Sequence, residues 1–200
     1  MDSADIKVQA FRDLYAGQPD EVIGQVVAYH KSHEGISRVV KILHCHREFL
    51  GIDLDDAEHD RLCQKYAEIV EEKVVACPEI SGAHLFLRTH QGKSRFFVVS
   101  GTPQDELRRI TSRRGLNGYF EGVYGSPKAK EVIVNEILES TAFPPEDCLF
   151  IGDAMTDFRA ATATFVPFIG RVDKGEAGPF PDGTRTVSDL NGLAEILLRG

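Results

Sequence analysis

The chain has 200 residues, 42% of them hydrophobic, with 18 Gly and 9 Pro, a globular balance that suits one domain with a sizeable insertion or two small ones. Its formal charge of −8, with no basic tract to offset it, speaks against nucleic acid or an anionic membrane as partner, so an anionic ligand must be met by local charge. No apolar run approaches the ~20 residues that span a bilayer, Met1–Asp5 does not read as a signal peptide, and Cys45, Cys63, Cys77 and Cys148 lack Cys-x-x-Cys spacing, which predicts reduced thiols and a cytoplasmic location.

The first 75 or so residues read as helices. Val8, Phe11, Leu14 and Tyr15 make one apolar stripe, and Val22, Ile23, Val26 and Val27 a second. Gly17-Gln18-Pro19-Asp20 between them is a turn that starts the next helix. Val39, Val40, Leu43, Phe49 and Leu50 form a third stripe ended by Gly51, and Asp55-Asp56 open a fourth helix with Leu62, Tyr66, Ile69 and Val70. At Cys77-Pro78 the pattern changes. A short helix near His84–Leu87 precedes a strand Arg95–Ser100, a helix Gln104–Arg114, a short strand Gly122–Gly125 and a helix Lys130–Glu139. A strand Leu149–Ile151, a helix Asp157–Ala163, a strand Val166–Ile169, a Gly/Pro-rich surface loop Asp173–Gly183 and a last helix from Ser188 complete the chain. Strands and helices alternating at these distances predict a parallel sheet.

Three strand ends carry the chemistry. Ser100-Gly101-Thr102 puts a hydroxyl and backbone N–H groups at a strand tip that opens a helix, a phosphate-oxygen site; an ordinary Ser-Gly turn is the competing reading. Lys130, at the start of a helix after Gly125-Ser126-Pro127, can neutralise phosphate as a point cation, with Lys128 as a rival. Gly152-Asp153-x-x-x-Asp157 ends a buried strand and places two carboxylates at the carboxyl edge of the sheet, hard oxygen ligands of the kind Mg²⁺ takes. Alone, that pair is equally a helix-capping acidic turn.

Taken in order, FFVVSGTP, GSPKAK and CLFIGDAMTD resemble the second, third and fourth motifs of the haloacid-dehalogenase (HAD) superfamily, closest to its phosphoglycolate-phosphatase and β-phosphoglucomutase-like branch. The resemblance implies a Rossmann-like α/β core with a parallel sheet (residues 1–5 and 79–200) and an all-helical cap (6–78). It implies a Mg²⁺-dependent phosphatase acting on a small phosphorylated metabolite, such as a phosphoglycolate- or sugar-phosphate-like monoester, through an aspartyl-phosphate. Ser100, with Gly101 and Thr102, would bind the transferring group, Lys130 would hold it against the nucleophile, and Asp153 and Asp157 would hold the metal. Tyr29-His30-x-x-His33-x-Gly35-Ile36-Ser37-Arg38 is similar to a cap pattern of such phosphatases, with Arg38 reaching the substrate as a bidentate anion donor; a helix-start turn with an exposed arginine is the alternative. The first motif, a strand ending in Asp-x-Asp-Gly that carries the nucleophile, has no match. Met1-Asp2-Ser3-Ala4-Asp5-Ile6-Lys7 resembles the segment that follows it, so the expectation is a chain that begins inside the motif and is inactive without it. β-Phosphoglucomutase-like transfer and a catalytically dead binding module are the rival functions; oligomeric state is left open.

Three further clusters have packing explanations. Asp53-Leu54-Asp55-Asp56 follows no strand and reads as a loop and N-cap. His44-Cys45-His46, with His59 and Cys63, lacks the ligand spacing of zinc sites. Arg108, Arg109, Arg113 and Arg114 read as a solvated helix face.

Overall fold

The computed structural model describes residues 1–193. Helices α1 (Ala4–Leu14), α2 (Asp20–Ser32), α3 (Arg38–Cys45) and α4 (Asp56–Ala76) form the expected bundle. Its centre is Phe11, Leu14, Tyr15, Val26, Ile42, Tyr66 and Val70. The first, second and fourth stripes face it as expected, but α3 buries Lys41, Ile42 and Cys45 and leaves Val39, Val40 and Leu43 of the third stripe exposed. The third stripe is not one helix. After Cys45 the backbone widens into a π turn over His46–Leu50, where His46 Nδ1 meets the Tyr15 hydroxyl at 2.9 Å, and Gly51 at φ 67° ends it. Asp55 caps α4 by accepting from the Glu58 amide at 2.8 Å, as its place before the apolar stripe predicts.

Beyond a short helix α5 (Ala83–His90), strands and helices alternate: β1 (Phe96–Pro103), α6 (Gln104–Arg113), β2 (Phe120–Ser126), α7 (Lys130–Thr141), β3 (Phe150–Gly152), α8 (Met155–Ala163), β4 (Phe168–Arg171) and β5 (Thr186–Val187). All pairings are parallel, but they fall into two separate sheets, β1-β2 and β3-β4-β5. Among the described residues β1 and β3 each therefore have one edge without a strand partner. Helix α7 ties the halves together by packing against both β1 and α8. The continuous apolar run of β1 is that of a strand covered on both faces, yet every residue of it is only half-buried.

Strand β5 was not foreseen, because Thr186-Val187 is too short to show alternation. The Gly/Pro-rich stretch is irregular, but it is more than surface: Phe180 packs on Phe158 and Phe168, and a Cβ on Gly170 would lie 2.3 Å from its ring. The helix expected from Ser188 does not begin there, since residues 188–192 are bends and turns, and the remainder from 194 lies outside the described residues. The four cysteines are unpaired thiols, and no described helix is long and apolar enough to cross a membrane.

Of the four arginines on and just after α6, Arg108 is exposed as expected, while Arg109, Arg113 and Arg114 form a clasp. Arg109 pairs with Glu71 (2.8 Å) and Arg113 with Glu72 (2.6 Å), holding α6 to α4. One guanidinium nitrogen of Arg114 donates to the carbonyls of Val74, Val75 and Cys77 at 3.0, 2.7 and 2.8 Å, satisfying the open carbonyl end of α4. Two exposed ion pairs contribute little each, and the half-buried Arg114 contributes more. Arg114→Ala is expected to lower stability by about 1.5–3 kcal/mol, and Arg113→Ala by under about 1 kcal/mol, in urea unfolding; equal losses would refute the ranking.

Candidate active site

The sheet halves bring the three strand ends to one place. Ser100 lies near the carboxyl end of β1, where its Oγ accepts from the Thr102 amide at 3.1 Å. Lys130 is the first residue of α7. Its Nζ donates to Asp157 Oδ1 at 2.5 Å and to Thr156 Oγ1 at 3.0 Å, and the lysine and the aspartate are 9% and 5% exposed. The second oxygen of Asp157 accepts from the Ala154 amide at 3.1 Å, which fixes the turn between β3 and α8. Gly152 makes this turn possible, since a Cβ there would lie 2.3 Å from that of Asp157. Burial pushes the Asp157 carboxyl above its ordinary range, and the adjacent Lys130 ammonium opposes that rise. Lys128, the rival lysine, instead pairs with Glu136 at 2.7 Å on the surface.

The helical part reaches this cluster through the loop between α2 and α3. Gly35, at φ 79°, is pressed onto the core: a Cβ would lie 1.9 Å from Thr156 Oγ1 and 3.1 Å from Lys130 Nζ. On the other side, a Cβ on Gly101 would meet the Gly35 carbonyl oxygen at 2.2 Å. Only two glycines fit here. Ser126 Oγ donates to Ser37 Oγ at 3.0 Å, and Arg38 pairs with the buried Glu106 of α6 at 2.5 Å. Arg38 thus faces the site with its charge already met. Sequence reading missed Glu106, whose only signal was its place in the first turn of an ordinary amphipathic helix, and it missed the seat of Gly35 inside Gly-Ile-Ser-Arg.

A cavity of about 380 Å³ lies between the bundle and the free edges of β1 and β3. Ser100, Gly101, Thr102, Arg38, Lys130, Asp153 and Asp157 all line it. Lys7, His30, Glu34 and Lys41 form its helical wall. His30 is buried, and burial together with the Lys41 ammonium at 3.0 Å depresses its imidazole to about 3.

A hard divalent ion fits here with few protein ligands. Asp153 is an exposed carboxylate on the cavity, whereas both Asp157 oxygens are engaged. Asp153 also helps to push the Glu34 and Asp157 carboxyls upward, a like-charge crowding that a cation would relieve. Among the described residues no three acidic, His or Cys side chains are close enough to enclose an ion, so it would keep most of its waters, as Mg²⁺ does. The His44–His46 region makes no metal site either: His44 stacks on Tyr29, and His59 Nε2 meets the Val39 carbonyl.

The model of the haloacid dehalogenase-like hydrolase family matches residues 6–171. The chain belongs to that family. Its fold is shared by a predicted phosphatase from Clostridium acetobutylicum, with a TM-score of 0.72, 17% identity and coverage of 100% of this chain and 93% of that one. A predicted phosphoglycolate phosphatase from Haemophilus somnus superposes with a TM-score of 0.69 at 15% identity, over 98% and 90% of the two chains. The HAD-hydrolase YfnB from Bacillus subtilis, in a form bound to magnesium, gives 0.71 at 19% identity over 99% and 93%. No curated protein matches the chain.

Two outcomes follow for this hydrolase fold. Lys130→Met leaves the Asp157 carboxylate buried without its cation and is expected to cost about 3–5 kcal/mol in urea unfolding, whereas a merely superficial pair would cost under about 1. For His30 the folded value lies below the unfolded one, so its contribution to stability is present above pH ~6.5 and is lost as pH falls towards 3. Stability is therefore expected to drop by about 2 kcal/mol more between pH 7 and pH 5 in the wild type than in His30→Gln; identical pH slopes would show that His30 is not buried neutral.

Proposed function

We propose that this site hydrolyses small phosphomonoesters, of phosphoglycolate- or sugar-phosphate-like size, with Mg²⁺ and through an aspartyl-phosphate. The observation that supports it best is the buried Lys130 ammonium, held by Asp157 and Thr156 between the ends of β1 and β3 with Ser100 on the same cavity. A point cation beside a strand-end hydroxyl and backbone amides is an arrangement for the oxygens of a transferring phosphoryl group. In this reading Ser100, Gly101 and Thr102 bind phosphate and Lys130 neutralises it. Asp153 would hold Mg²⁺ directly, with Asp157 fixing the turn and Lys130; the ion would supply charge neutralisation on the phosphate oxygens. Residues 6–78 act as the cap and 1–5 with 79–200 as the catalytic core. Gly35, seated over Lys130, keeps bulk water from the reacting centre while the cap is closed.

The attacking carboxylate is the weak point. Among the carboxylates lining the cavity, Glu106 is tied to Arg38 and Asp157 to Lys130, while Asp153 and Glu34 crowd each other. A strand supplied between the free edges of β1 and β3 would bring a carboxylate to the level of Ser100 and Asp153, and the 200-residue chain is inactive in this reading until one is present. Monoester hydrolysis is too slow uncatalysed for a partial site to suffice. A non-catalytic phosphate-binding module is the rival that this same feature favours. Turnover of p-nitrophenyl phosphate with Mg²⁺ decides: the expected result is none above the Lys130→Met background for the 200-residue chain, and Mg²⁺-dependent turnover when a strand ending in Asp-x-Asp-Gly is joined ahead of it. Robust turnover by the chain alone would overturn the nucleophile assignment, and none from the extended chain would overturn the hydrolase reading.

A further inference from the structure

The cap-side wall of the cavity holds a cation that the reading above does not use. Lys41, on α3, is 2% exposed, and no carboxylate lies within 4.0 Å of it among the described residues. Its ammonium donates to His30 Nδ1 at 3.0 Å and to the His30 carbonyl at 3.3 Å, and it stands 5.9 Å from the centre of the Phe11 ring. An ammonium has three donors, so one is left without a protein partner. The imidazole, kept neutral by burial, offers only a lone pair and no charge. Burial likewise lowers the Lys41 ammonium to about 8, which leaves it mainly charged at neutral pH. A buried charge with neutral partners is costly unless a counter-charge arrives.

Three other cations around the cavity are already matched. Arg38 is held by Glu106, Lys130 by Asp157 and Arg171 by Asp173. Lys7, on α1, shares the cavity wall with Lys41 and likewise makes no ion pair among the described residues. Glu34 is the carboxylate whose charge supports Lys41 through space, but it makes no contact with it within 4.0 Å, and burial and Asp153 raise its carboxyl against the opposing effect of Lys41 and Lys7. The cavity of about 380 Å³ thus carries, besides Ser100 and Lys130, a second group of cations on its helical wall, Lys41 and Lys7, whose charges act on each other. That volume is at the small end for a metabolite pocket.

We propose that Lys41, with Lys7 beside it, forms a second anion subsite, and that the site takes small phosphomonoesters carrying another anionic group, a carboxylate or a second phosphate, at the far end. Arg38, the residue that the sequence singles out for this task, instead locks the cap to α6. The proposal rests on the phosphomonoester reading, and binding separates the two without requiring turnover. Isothermal titration of the 200-residue chain with Mg²⁺ would compare ethyl phosphate, 2-phosphoglycolate and ethane-1,2-diol bisphosphate. The expected result is that at least one two-ended ligand binds roughly tenfold or more tightly than ethyl phosphate, with the better of the two identifying the second group as carboxylate or phosphate. Lys41→Met should bring that ligand down to the ethyl phosphate level, and Lys41→Arg should restore part of the difference. Because no protein anion is orphaned, Lys41→Met should also keep or raise the melting temperature. A wild type without preference for two-ended ligands, or a Lys41→Met protein that keeps the preference, overturns the subsite. So does a Lys41→Met protein that melts lower and loses all three ligands alike, since Lys41 would then be structural. If the wild type binds none of the three, the phosphomonoester reading itself falls and the subsite with it.

Discussion

The contact on which this site depends is the 2.5 Å bond from Lys130 Nζ to Asp157 Oδ1. It joins the first residue of α7 to the first turn of α8, two helices that follow strands of different sheets. One pair therefore sets the relation between the β1 end and the β3 end, where a phosphoryl group would have to be gripped from both sides. The pair is buried, so desolvation offsets much of its attraction and its main effect is on geometry: each charge alone would be costly where it sits. Gly152 and Gly35 follow from it. The first lets β3 turn tightly enough for Asp157 to point back at Lys130, and the second lets the cap loop rest on the lysine without displacing it.

The cap is held by contacts of unequal kind. Arg38 with Glu106 is a buried pair, 10% and 3% exposed, while Arg109 with Glu71 and Arg113 with Glu72 lie nearer to water. Salt screens the outer pairs far more than the inner one. A cap that must admit a ligand has to break the Arg38–Glu106 pair and lift Gly35 from its seat, whereas α4 and α6 can stay clasped through Arg114.

Much of this was legible in the sequence, for a physical reason. Strands that are apolar throughout and stop at Ser100 or Gly152 announce a parallel sheet and its functional edge, and helical stripes such as Phe11–Leu14–Tyr15 announce a bundle. Those signals are local. What escaped depends on partners far along the chain. Arg38 looked free because nothing in Gly-Ile-Ser-Arg reveals that Glu106 waits 68 positions later. The clasp of Arg109 and Arg113 was hidden because Glu71 and Glu72 lie on another helix, and nothing within Val39–Leu43 reveals that Lys41 packs against His30. The division of the sheet was equally invisible, since it concerns which edges meet and not what each strand is made of.

That division also bears on how charge is distributed. A chain of net charge −8 repels anions at long range, so an anionic ligand is drawn in only near the cavity mouth. Lys7 and Lys41 line the cavity from the helical side and Lys130 from the core side, and Asp153 lines it too. Asp153 would oppose a phosphate unless a cation stood on it. The crowding of Asp153 with Glu34 and Asp157 has the same remedy. In the proposed reading metal and phosphate would be coupled: each would lower the electrostatic cost of the other, and the site would favour binding them together over binding either alone.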